Sequence, residues 1–124
     1  MATAAAKLKG QPLFTTGPYK MTVADSVDGL WYMPDTNGDL IVAAGNVLCG
    51  ALQKRAKVGD YVSLVVLGEV TAIASGAITA GAAVTVDSAG KVKAATVGTD
   101  QVHGYNCGHT CTTDGDVISV LKTA

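Results

Sequence analysis

Glycine falls between short β-branched runs along most of this sequence, and that spacing constrains the fold more than any other feature. From about residue 21 onward, turn-forming groups recur, most closely through the middle of the chain: Asp35-Thr36-Asn37-Gly38-Asp39, Val58-Gly59-Asp60, Leu67-Gly68-Glu69, Ile78-Thr79-Ala80-Gly81, Asp87-Ser88-Ala89-Gly90 and Thr113-Asp114-Gly115-Asp116. Between them lie Leu30–Met33, Leu40–Ala43, Tyr61–Val66, Val70–Ile73, Val84–Val86, Lys91–Ala94 and Val117–Leu121. Runs this short cannot complete a useful helix, whereas four to six alternating residues suffice for a strand. Asn37-Gly38 is the strongest hairpin signal, because both residues tolerate positive φ. The pattern predicts an all-β domain, a small barrel or sandwich, with at most one short helix. The one helical spacing is Val47, Leu48, Ala51, Leu52 and Arg55 within 46–57, which Gly50 weakens.

Residues 1–20 differ from the rest. They hold two of the three prolines and Lys7, Lys9 and Lys20 without an acid. They read as an extended N-terminal arm, with 21–124 as the β-rich domain. A short Ala-rich helical turn at the start is the alternative.

The chain has 124 residues, enough for one domain with a real core. It is 48% hydrophobic, yet only 5% aromatic and 15% charged, against about 25% charged in ordinary soluble domains. A surface so poor in charge points to one that is covered in the working state, by copies of the chain or by a partner. An Ala-rich monomer is the alternative. The net charge of −1 provides no basic face for nucleic acid, and Lys54, Arg55 and Lys57 alone cluster. The most apolar stretch, 61–74, is broken by polar residues and too short to span a bilayer as a helix. The first residues lack the charged-then-apolar order of a secretory leader, so synthesis in a cytoplasm is expected. Three cysteines do not make a disulfide framework.

His103, Cys107, His109 and Cys111 form the one constellation that resembles a reactive site. On a strand their odd positions share a face. Their residue types suit tetrahedral zinc. However, alternate strand positions lie roughly 7 Å apart, so four ligands in a row cannot converge on one ion unless the chain bends, as at Gly108. A Cys107–His109 nucleophile pair lacks the supporting base, oxyanion donors and pocket that catalysis needs. No cofactor motif is present. Asp35-x-Asn37-x-Asp39 has a trace of calcium-loop spacing, but turn chemistry accounts for it better. Trp31 and Tyr32 are candidates either for anchoring an interface or for packing the core beside the Asn37-Gly38 hairpin.

Several pieces in series resemble one family: Lys57–Ser63, the turn at Gly68, Gly76–Val84, Asp87–Val92 and Gly115–Leu121. Together they are similar to the capsid cement, or head decoration, proteins of bacteriophages, which share their architecture with lambda-type decoration proteins. The resemblance covers a little over half of the chain. It implies a structural virion protein rather than an enzyme, made in the host bacterial cytoplasm. Such a protein would act on the outer capsid surface as a homotrimer bound to the major capsid protein and stabilise the mature shell. The residues expected to meet that partner are Lys7, Leu8, Lys9, Leu13, Phe14, Tyr19, Trp31 and Tyr32. The competing expectation is a small metal-binding or enzymatic barrel built on His103, Cys107, His109 and Cys111. A minor tail or head-completion component would have the same fold.

Overall fold

A computed structural model describes residues 14–22, 24–44 and 48–123. Nine strands account for its regular structure: β1 (Phe14–Met21), β2 (Trp31–Pro34), β3 (Asp39–Val42), β4 (Gly50–Leu52), β5 (Tyr61–Ile73), β6 (Ala83–Val86), β7 (Val92–Ala94), β8 (Gly104–Asn106) and β9 (Val117–Lys122). The expectation of an all-β fold holds, and no helix occurs among the described residues.

The strands pair in the order β1-β3-β2-β4-β5, and β1 also pairs with β5, which closes a five-stranded barrel. Closure leaves no exposed ladder on the barrel sheet's flanks. The β1–β3 contact is parallel, Met21 against Leu40, and the other barrel pairs are antiparallel. A second sheet continues from the far half of β5 through β9, β8, β6 and β7. One parallel bridge, Ala74 to Val92, returns β7 to the end of β5.

β5 is the element that joins the two halves. The sequence pattern predicts two strands here with a tight turn at 67–69, but the structure has one strand of 13 residues. Its first half pairs with β1 and β4, and from Gly68 onward it pairs with β9. Even positions face inward on both sides of Gly68. Val62 and Leu64 fill the barrel, while Ala72 and, just beyond the strand, Ala74 fill the second core. The even positions keep their inward phase, although Val65 is buried as well, so a glycine that reads as a turn serves as a crossing point instead.

The expected helix within 46–57 is absent from its described part. Residues 45–47 lie outside the described residues, and Gly50–Leu52 is β4, held between β2 and β5. Gly50 suits that place, because a Cβ there would run into the carbonyl of Val65. The glycine that weakens the helix is the one that lets β4 approach β5.

Two clusters make up the core. Met21, Tyr32, Leu40, Ala56, Val62 and Leu64 fill the barrel. The second cluster is built mainly from small residues, with Val84, Val92, Val120, Ile118, Ala72 and Ala74 around the indole of Trp31. Trp31 sits in the barrel strand β2 but packs into the second sheet's core. Its Nε1 donates to the Thr71 carbonyl at 3.0 Å, and its backbone N–H donates to the Gly90 carbonyl at 2.9 Å. One large ring from the barrel thus fills a second core otherwise built mainly of Ala, Val, Ile and Cys.

Candidate interaction surface

The residues singled out from the sequence are scattered. Lys7, Leu8, Lys9 and Leu13 lie outside the described residues. Phe14 opens β1 and is 61% exposed. The rest of the expected arm that can be described, Phe14–Lys20, is paired within the chain's own barrel. Tyr19 is half-buried against the barrel core, its hydroxyl 3.1 Å from Thr16 Oγ1. Trp31 and Tyr32 are both buried. Their apolar surface is spent inside the fold, and the Tyr32 hydroxyl accepts the Val27 N–H at 3.1 Å. Of the two readings offered for these aromatics, core packing is the one their burial favours.

The four Cys and His residues do not converge. The strand expected to carry them covers only Gly104–Asn106, and the chain bends at 108–109. Asn106 explains the bend: its side-chain amide donates to the His109 carbonyl at 2.9 Å, and its Oδ1 accepts the Gly108 N–H at 3.0 Å. His103 is buried, and its Nδ1 lies 3.3 Å from both the Val86 N–H and the Thr85 hydroxyl. A backbone N–H can only donate, so Nδ1 accepts and the ring proton belongs on Nε2. Cys111 is buried, its thiol directed to the Thr113 carbonyl at 3.2 Å. Cys107 and His109 are exposed. Among the described residues no three His, Cys, Asp or Glu side chains form a group able to hold a metal. The four side chains therefore do not form one metal site in this fold. Asp35 likewise serves its turn, its Oδ1 accepting the N–H groups of Asn37 at 2.8 Å and Asp39 at 3.0 Å.

What the fold does assemble is a surface. On β5, β9 and β8 of the second sheet the outward positions are Glu69, Thr71, Ile73, Val117, Ser119, Leu121 and Tyr105, while the outward Lys93 lies apart on β7. The register sets Glu69 beside Leu121 and Leu121 beside Tyr105. Cys107 follows on the same face, its N–H donating to the Ser119 carbonyl at 3.0 Å. Phe14 extends the face across β5 through its pairing with Leu67. Phe14, Tyr105, Val117 and Leu121 are all exposed large hydrophobics, and Glu69 is the one charge among the outward positions of β5, β8 and β9. Desolvation, and then the Glu69 carboxylate, push the Cys107 thiol above its ordinary value.

Beside this face lies a groove of about 480 Å³, with Leu30, Ala51 and Leu52 along it and Thr71 and Val117 shared with the face. Its rim carries Val27, Lys54 and the Arg55–Asp28 ion pair, in which Arg55 Nε and Nη2 meet the two carboxylate oxygens at 3.0 and 2.7 Å. That bidentate bond raises the Arg55 pKa further. The pair is solvent-exposed and contributes little stability. No helix among the described residues is long and apolar enough to cross a membrane.

No protein-family model matches the chain, and no curated protein matches it in sequence. Among solved structures it is similar to the head fiber gp8.5 N base in bacteriophage phi29, with a TM-score of 0.62 over 90% of this chain and 92% of that one. At 19% identity the likeness is one of fold. It spans both sheets, well beyond the segments that carry the family resemblance in the sequence. None of the charge-poor face was legible as a unit beforehand. Its members come from three strands distant in sequence, and only the alternation within β9 hinted at it.

Proposed function

We propose that this chain is a structural protein of a phage virion, seated on the outer surface of the head and acting through protein contacts rather than chemistry. The observation that carries this reading is the fold it shares, across nine-tenths of its length, with the base of a phage head fibre. The exposed apolar side chains on a nearly uncharged sheet face support it, since large apolar patches on small soluble domains mark interaction sites. The family resemblance in the sequence, from Lys57–Ser63 to Gly115–Leu121, points the same way.

In this reading the partner is the major capsid protein and the working unit is a homotrimer. Shell contact falls to Lys7, Leu8, Lys9, Leu13 and Phe14, whose acid-free surroundings suit an acidic capsid rim. A protein that binds only the mature arrangement of capsid subunits stabilises that arrangement by mass action. Three linked contacts multiply a modest single affinity. The test is co-sedimentation of the purified chain with expanded and with immature shells. Retention on expanded shells alone is expected. Equal retention on both, or on neither, would refute it.

A further inference from the structure

We infer that copies of this chain join head to tail, the Tyr105–Leu121–Glu69 face of one seated in the Val27–Leu52–Lys54 groove of the next. This rests on the proposed homotrimer and names the surfaces that would form it. The two surfaces are alike in apolar character. Tyr105 and Leu121 are 43% exposed and neighbours in register. They form a two-residue apolar patch, and the groove is a mainly apolar depression with volume enough for two such side chains. The surfaces are complementary in charge. The face carries an anion, Glu69, while Lys54 stands on the groove rim beside an Arg55 already satisfied by Asp28. Lys54 is therefore the cation left for Glu69 of a neighbour.

The placement of the two patches favours closure. A contact between two different patches of one molecule makes either a ring or an open filament, according to its rotation. Here the patches are adjacent, with Thr71 and Val117 common to both. Adjacent patches turn each copy sharply relative to the last, which favours a small ring with Thr71 and Val117 near its axis. A shell protein could also cover the groove. The pairing of one anion with one cation on the same molecule favours a second copy.

Sedimentation velocity of the full chain over a range of concentrations tests this. The wild type should sediment as a trimer. Leu121→Lys and Val27→Lys change exposed side chains and should yield folded monomers by circular dichroism. Glu69→Lys should weaken association about tenfold or more by setting like charges opposite each other. Combining it with Lys54→Glu should restore most of the loss. A wild type that stays monomeric, single variants that assemble like wild type, or a double variant no better than Glu69→Lys would overturn the inference. Shell co-sedimentation separates the two readings. A monomer that binds expanded shells sinks this interface alone, whereas a trimer that follows this interface and ignores shells sinks the proposed function.

Discussion

Gly90→Ala should destabilise this protein more than Gly38→Ala, although the two glycines occupy the same place in nearly identical turns. In the first turn, Asp35 Oδ1 caps the N–H groups of Asn37 and Asp39, and the Asp35 N–H donates to the Asp39 carbonyl at 2.8 Å. In the second, Asp87 Oδ1 caps Ala89 and Lys91, and the Asp87 N–H donates to the Lys91 carbonyl, also at 2.8 Å. Gly38 has φ of +83° and Gly90 +75°. An L-residue held in that region costs about 1–2 kcal/mol at either site. The surroundings differ. A Cβ at Gly38 would meet nothing within 4 Å, while one at Gly90 would lie 2.7 Å from Val42 Cγ1 and 2.8 Å from the Trp31 carbonyl oxygen. The second contact is with backbone and cannot be relieved by a rotamer change. Overpacking of this kind adds about 1–3 kcal/mol. The expected losses are therefore about 1–2 kcal/mol for Gly38→Ala and about 2–5 kcal/mol for Gly90→Ala. Urea unfolding followed by tryptophan fluorescence reads both, since Trp31 lies at the junction. Adding Val42→Ala to Gly90→Ala should recover only part of the deficit. Equal losses at the two glycines would refute the argument that the second hairpin docks on β2.

Lys122 offers a pH test. It is 2% exposed, its Nζ donates to the Val66 carbonyl at 3.1 Å, and it stands 5.9 Å over the Trp31 ring. Burial lowers its pKa below 10.5, opposed by the nearby Cys49 thiol. The folded chain therefore holds this proton less tightly than the unfolded one, so stability from this group rises as pH climbs from the folded value toward 10.5. Relative to Lys122→Met, the wild type should gain stability over that range in paired thermal melts, and a constant difference would refute the sign. Trp31→Phe should cost about 1–3 kcal/mol in urea unfolding, through the lost Nε1 bond to Thr71 and the reduced packing. Chelation should leave the melting temperature unchanged, since His103 and Cys111 are occupied by the fold while Cys107 and His109 face solvent. A fall in melting temperature on chelation would return the cluster to consideration.

The reading of β5 and of residues 46–57 shows where local pattern misleads. Gly68 carries the mark of a turn and has φ of +119°, yet both its flanks keep the same inward phase and the strand continues through it into the second sheet. Leu48, Leu52 and Arg55 have helical spacing, yet β4 forms because two neighbouring strands accept its backbone hydrogen bonds. The Cys and His row was legible as residue types but not as a place. A bend set by one asparagine side chain divides it between core and solvent.

The sequence by itself determined the strand-and-turn alternation and the hairpins at Asn37-Gly38 and Ala89-Gly90. These follow from φ preferences and the period of two, which act within a few residues. Only the tertiary structure decided that Gly90 is crowded and Gly38 free, that Trp31 lies inside, and that Glu69, Leu121 and Tyr105 share a face beside a groove. Those properties belong to pairs of residues far apart in the chain, and the register between strands, which no local preference encodes, brings them together.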